Sequence, residues 1–272
     1  MGWREDLGKI ANNLLARGSD WSVTDVICTS GPQDHPFEEQ HSSVLIAVVI
    51  EGSFQYRSAH GSEIMAPGSL LLDNYGQYFE CGHDHGTGDR CISFQYAPEF
   101  FERAGVSGQF PVRRIPPTSA LSRQVVEAKL AARSPSINFE ELAHGMASAV
   151  LQVLGKTNYE KGVATAADER RISATLRFIQ ANLGEPLPLD KLASTAKMSE
   201  FHFLRMFKQV TRVTPHQFIL RARLREAALR LKTTRNEVLQ IALDTGFGDL
   251  SNFNHAFRAE FGMSPTGYAR RA

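Results

Sequence analysis

Between residues 21 and 96, apolar positions gather in short runs rich in valine, isoleucine and aromatics: 21–29, 44–50, 54–57, 70–72, 77–81 and 90–96. Turn-forming pairs separate them, namely Gly31-Pro32, Glu51-Gly52, Pro67-Gly68 and the glycine-rich stretch 82–88. Such runs at such spacing predict β-strands folded into a sandwich or small barrel. After Pro116-Pro117 the period changes. Leu121, Val125, Val126 and Leu130 recur at helical spacing, as do Phe139, Leu142, Ala143, Met146, Val150 and Val153 beyond a break at Pro135. This pair of amphipathic helices is expected to pack on the strands or on a second copy of the chain. Residues 155–167, GKTNYEKGVATAA, are polar and small and read as a linker. From Asp168 onward the pattern is helical, broken at 184–188, near 211–215 and at 246–249.

The helical part contains an internal repeat. The segment from Leu189, LDKLASTAKMSEFHFLRMFKQVTRVTPHQFI, aligns with that from Asn236, NEVLQIALDTGFGDLSNFNHAFRAEFGMSPTGYA. Leu192-Ala193 matches Ile241-Ala242, and Met198 matches Phe247; one residue is then inserted in the second copy. Beyond it Ser199 matches Asp249, Phe203 and Phe207 match Phe253 and Phe257, Thr214-Pro215 matches Ser264-Pro265, and Phe218 matches Tyr268. Each copy has an alanine for close helix approach, a tight turn, and a serine or aspartate at an N-cap. Two phenylalanines one turn apart follow, then a proline that opens the next helix. This is helix-turn-helix grammar written twice, and a helix from Pro215 to about Lys232 is expected to space the copies.

Charge sharpens the division. Residues 168–272 hold 17 Lys and Arg against 10 Asp and Glu, a net of +7, while the preceding 167 residues are net −6. A basic helical half beside an acidic strand-rich half points to a polyanion partner for the former. The 272 residues suffice for two domains, and 42% hydrophobic with 22% charged residues is a soluble globular balance. The longest apolar run, 44–50, falls far short of the roughly 20 residues that span a bilayer, so no membrane role is expected. The opening MGWREDLGKIANNLL does not read as a signal peptide, and three cysteines fit a reducing cytoplasm better than a disulfide scaffold.

Residues from about 172 to 271 resemble the DNA-binding domain of the AraC/XylS family of bacterial transcription regulators. The resemblance rests on LDKLA, MS, FLRMFK and TP, on RARLREAALRL and, most specifically, on IALDTGFGDLSNFNHAFRAEFGMSP. The strands around Gly61 and Pro67-Gly68, followed by helices, are similar to the cupin-like sensor domain often fused to it. The resemblance implies an α+β two-domain chain. An N-terminal cupin-like β-barrel with flanking helices would occupy 1–157, a linker 158–169, and an all-α DNA-binding domain 170–272, with helix-turn-helix motifs at about 189–210 and 238–261. It implies double-stranded DNA as partner, with RNA polymerase, a small-molecule effector and a second copy of the chain as further partners. In such a domain the second helix of each motif enters a major groove. On the first, the face opposite Phe203 and Phe207 presents Phe201, Leu204 and Arg205; on the second, Leu250, Ser251, Asn254 and His255 stand at matching positions. Lys208 and Arg258, later on each helix, suit the phosphate backbone. His255 stands where the family commonly has arginine, which predicts looser readout at the second site. Arg212 stands where the second copy has Gly262, at a helix end that favours glycine, and its charge is expected to meet a phosphate.

Metal-dependent cupin enzymes resemble one another in an H-x-H pair and a further histidine after the P-x-G turn. Here His35, Glu38, Glu39 and His41 form no such pair, and Leu70-Leu71-Leu72 follows Pro67-Gly68. The chain is therefore read as a receptor and not an enzyme, with His41, Tyr56 and Arg57 as candidate effector contacts. The other reading is a constitutive DNA-binding protein whose barrel only dimerises. The stretch FECGHDHGTGDRC supports three readings. Cys81, His83, His85 and Cys91 suit a tetrahedral zinc site on a hairpin; the two thiols suit a disulfide switch; and all four suit a polar turn with no ligand.

Overall fold

The computed structural model describes residues 10–34, 38–84, 86–103, 109–134, 137–155 and 164–270, which include no His35 and no His85. They divide into two compact units, one drawn from positions 1–116 and 131–161, the other from 117–130 and 162–272.

The first unit is strand-rich. A six-stranded sheet runs in the order β1 (Ile10–Arg17), β2 (Trp21–Cys28), β9 (Asp89–Tyr96), β4 (Val44–Gly52), β7 (Leu70–Asp73), β10 (Arg114–Ile115). A four-stranded sheet runs β3 (Glu39–Gln40), β8 (Tyr78–Gly82), β5 (Phe54–Ser58), β6 (Gly61–Met65). The sheets pack face to face without closing on each other. Strand alternation sends Leu45, Ala47 and Val49 of β4, Leu71 of β7 and Cys91 of β9 toward Phe54 and Tyr56 of β5 and Met65 of β6. The opposite parity of β4, Ile46 and Val48, is also fully buried. Burial on both faces is why this run shows no polar alternation. Helix α1 (Pro98–Arg103) follows β9, and α3 (Phe139–Leu154) packs on β2, where the Tyr96 hydroxyl donates to the Ala143 carbonyl at 2.7 Å.

Two expectations change. The stretch 79–91 does not form a hairpin: β8 and β9 lie in different sheets, Cys81 opposite Tyr56 and Cys91 opposite Val26 and Val49. The glycine-rich residues carry the chain from one sheet to the other. The two amphipathic helices also part company. Whereas α3 covers the strands, α2 (Ser122–Ala131) belongs to the helical unit, where Val126 is fully buried with Leu224, Ala228, Phe257 and Tyr268.

In the helical unit α4 (Ala166–Ala181) precedes the first motif, α5 (Leu189–Thr195) and α6 (Glu200–Thr211). The spacer α7 (Pro215–Thr233) leads to the second, α8 (Val238–Asp244) and α9 (Leu250–Phe261), and α10 (Pro265–Arg270) closes the chain. The repeat holds at the level of side chains. Ser199 Oγ caps α6 by accepting from the His202 amide, and Asp249 caps α9 by accepting from the Asn252 amide at 2.7 Å. Thr214 and Gln217 form a reciprocal capping box with Pro215 at the first turn of α7. Phe203, Phe207, Phe253 and Phe257 are all fully buried.

Backbone strain also repeats, with different residues. The inter-helix turn takes a left-handed residue in both copies, Lys197 at φ 53° and Gly246 at φ 87°. So do the ends of α6 and α9, Arg212 at φ 66° and Gly262 at φ 74°. The second copy uses glycine at both points and the first uses a cation at both. A non-glycine residue there costs on the order of 1 kcal/mol. Arg212→Gly is therefore expected to stabilise the helical unit by up to about 1 kcal/mol in urea melts followed by helical circular dichroism. In DNA titrations across salt, a phosphate role for Arg212 would lower the salt slope by about one.

Candidate nucleic-acid interface and polar clusters

The two copies position like faces. On α6, Phe201 is 79% exposed and Leu204 40% exposed, with Arg205 and Lys208 also in solvent. A phenylalanine so exposed at the start of a helix marks a contact surface better than a fold requirement. On α9, Ser251, Asn254, His255 and Arg258 are exposed, whereas Leu250 is half-buried against the core of the second motif. Leu204 also lines a groove with His216, Ile219, Arg223, Leu243 and Asn252. Asn252 and the exposed Leu243 escaped the sequence reading.

The spacer helix is more than a rod. Arg223 Nε donates to the Leu183 carbonyl at 2.9 Å, Nη1 to Gly246 at 2.8 Å and Nη2 to Glu185 at 2.7 Å. One guanidinium thus ties the connection between α4 and α5 to the turn of the second motif. A Cβ on Gly246 would lie 2.7 Å from the Arg223 Cζ, a second reason for glycine there. Arg225, on the same helix, is buried, and burial pulls its guanidinium down to about 10 against the Glu260 charge. Glu260 also accepts from Ser122 Oγ of α2 and lies 3.9 Å from Arg221 Nε. Arg223 and Arg225 of the spacer are thus structural.

In the strand unit, His41 and Tyr56 come together, 3.1 Å between His41 Nε2 and the Tyr56 hydroxyl, with Phe79 stacked on the His41 ring at 4.1 Å. Both converge on the fully buried Asp73, which also pairs with Arg113 Nη1 at 2.9 Å. Burial pushes the Asp73 carboxyl up, but hydrogen bonds from His41, Tyr56 and the Asn74 amide outweigh it and hold the group below its ordinary value. Arg57 points the other way, exposed and bonded to Gln55.

Of the four residues read as a zinc set, His85 lies outside the described residues. Cys81 and Cys91 face the inter-sheet core, where burial pushes both thiols well up. His83 instead joins two residues the reading passed over, Cys28 and Asp89. Its Nε2 lies 2.6 Å from Asp89 Oδ2. Burial works against the charged imidazole, yet the bonds to Asp89 and Cys28 raise it to about 9; burial likewise opposes the Cys28 thiolate, yet His83 and Ser30 lower that thiol. Cys28 lies 55 positions before His83, and only strand pairing brings it near.

Two capped helix-turn-helix motifs on one spacer, with matching exposed faces rich in cations and amides, define a DNA-binding protein. Residues 192–271 match the family model described as a helix-turn-helix domain. The regulatory protein SoxS of Salmonella typhimurium is 33% identical over 100 residues, spanning 37% of this chain and 94% of that one. The HTH-type transcriptional regulator MtrA of Neisseria gonorrhoeae is 30% identical over 109 residues, 40% of this chain and 36% of its own length. Among solved structures, an AraC-type regulator from Chromobacterium violaceum aligns with TM-score 0.37 and 27% identity over 39% of this chain and 96% of that one. ToxT from Vibrio cholerae aligns with TM-score 0.38 and 12% identity over 93% and 98%. The chain belongs to the AraC/XylS family of helix-turn-helix transcription regulators. Among the described residues no helix is long and apolar enough to cross a membrane.

Proposed function

We propose that the strand unit receives a small effector or a metal ion and thereby alters how the helical unit binds its DNA target in the cytoplasm. RNA polymerase and a second copy of the chain would be the further partners. The observation that carries the reading is the His41–Tyr56–Asp73–Arg113 cluster. A buried charged network between two sheets costs more than apolar packing of equal volume, which suits a place where a ligand's polar groups exchange with the protein's own. An effector bound there acts through unequal affinity for two states of the chain, without touching DNA.

On the DNA side, Phe201, Leu204 and Arg205 of α6 would meet base edges in one major groove, and Ser251, Asn254 and His255 of α9 those in the next. Leu250 would add an apolar contact at the start of α9, while Lys208 and Arg258 hold phosphates. The test is selection of binding sites from a random duplex pool by the full chain. Two half-motifs about one helical turn apart are expected. Arg205→Ala should weaken binding by about 10- to 100-fold and relax one half-motif only. Metabolites and metal ions are then screened for shifts in melting temperature and in affinity for the selected site. If no compound moves either, the strand unit is a scaffold and the receptor reading fails.

A further inference from the structure

We infer that Cys28, His83 and Asp89 form a binding site for a divalent transition-metal cation of the zinc class, at the rim of the space between the two sheets. One ligand atom from each residue lies within 4.8 Å of the other two. Three separate strand ends supply them. Cys28 ends β2, Asp89 begins β9 directly opposite it in the ladder, and His83 follows the last residue of β8. Alternation explains the convergence. Val26 two residues before Cys28, Cys91 two residues after Asp89, and Cys81 two residues before His83 all pack into the inter-sheet core. The three candidate ligands continue those inward rows to the edge of the core.

The backbone is shaped to hold them close. Gly88, at φ +69°, sits so near β2 that a Cβ would fall 2.3 Å from the Cys28 carbonyl oxygen. A Cβ on Gly52, at φ +71°, would fall 2.3 Å from the Gly88 carbonyl oxygen. The two glycines let the strand ends carrying Cys28 and Asp89 close on each other. Cys28 and Asp89 are buried and His83 is half-buried, so a cation there would be largely withdrawn from water.

The donor chemistry selects the ion. A sulfur, an imidazole nitrogen and one carboxylate oxygen suit zinc and its neighbours, whereas magnesium and calcium require oxygen donors throughout. Three protein ligands leave a fourth tetrahedral position. Cys91, whose Sγ is 4.0 Å from Asp89 Oδ1, is a further sulfur beside the site. On binding, the metal replaces the His83–Asp89 hydrogen bond, and the displaced protons pass to solvent. The site rests on the geometry of the strand unit alone; only a signalling role for it depends on the receptor reading.

The test uses the full chain purified without a histidine tag, equilibrated with zinc or cobalt alone and then freed of loose metal. One equivalent of zinc per chain is expected, and cobalt should produce a thiolate charge-transfer band. Cys28→Ser and His83→Ala should each lose the band and bind at least about tenfold more weakly, while Cys81→Ser keeps both. Circular dichroism checks that the variants fold; should Cys28→Ser not fold, the near-isosteric Asp89→Asn takes its place. A chain that retains less than about a tenth of an equivalent, or a folded Cys28→Ser that binds zinc like the parent, overturns the site. So does a metal-indifferent chain in which mild oxidation links Cys28 to Cys91, since that assigns the cluster to thiol chemistry. Affinity for the selected DNA, measured with and without zinc, reads the signalling role separately.

Discussion

Asp73→Ala is expected to destabilise the strand unit by about 3–5 kcal/mol and leave the helical unit unchanged. Asp73 is fully buried, and its carboxylate meets Arg113, His41 and Tyr56 together. Removing it strands a guanidinium that is only 8% exposed and a phenol hydroxyl with the histidine as its other partner. An uncompensated buried charge is far more costly than a lost surface pair. Both tryptophans of the chain, Trp3 and Trp21, lie in the strand-rich half, so fluorescence in urea isolates this unit while helical circular dichroism follows the other. Acid gives a second readout. Because the Asp73 carboxyl is held below its ordinary value, its stabilisation is complete above the unfolded value of about 4 and fades as pH falls through the folded one. The difference between parent and variant should therefore narrow on the acid side of about pH 4. A difference that stays constant below about pH 4 as well would mean that Asp73 contributes by packing and not by charge.

Arg223→Ala is expected to cost the helical unit about 3 kcal/mol, in line with charge-assisted bonds whose freed carbonyls partly regain water. The guanidinium meets three carbonyls at 2.7–2.9 Å, two in the connection between α4 and α5 and one in the turn before α9. Arg223→Lys should recover little of this, since an ammonium cannot reproduce a planar fork. The variant should also lose more DNA affinity than its charge predicts, because the second motif's turn is no longer fixed to the rest of the unit. An affinity loss no larger than that of a distant surface arginine would show that the clamp serves stability alone.

The helical unit was legible in the sequence nearly to the residue. Its repeat is local: caps, turns and phenylalanine pairs lie within one motif, and their spacing states the geometry directly. The expected spacer from Pro215 to about Lys232 is α7, and the caps at Ser199 and Asp249 are in place. What escaped notice depends on distant partners. The arginines of α7 look alike in sequence, yet Arg223 finds carbonyls 23 to 40 residues away and Arg225 disappears into the core. Val126 shows the same effect, since its helical period says which face is buried but not against what. In the strand unit the six expected runs are strands, while β1, β3 and β10 are too exposed or too short for a pattern to show. The stretch 79–91 failed instructively. Its cysteines and histidines were expected on a hairpin, but sheet membership is set by neighbours from elsewhere in the chain, and those neighbours bring Cys28 in.

The two motifs share a fold and differ in chemistry. Lys197 and Arg212 occupy the left-handed positions of the first, and Gly246 and Gly262 those of the second. The exposed face of α6 carries Phe201, Leu204 and Arg205, while that of α9 carries Ser251, Asn254 and His255. Two identical reading heads related by a two-fold axis recognise a palindrome and sit on it equally well either way round. One chain with unlike heads has a front and a back. Under the proposed readout its target would carry a direction.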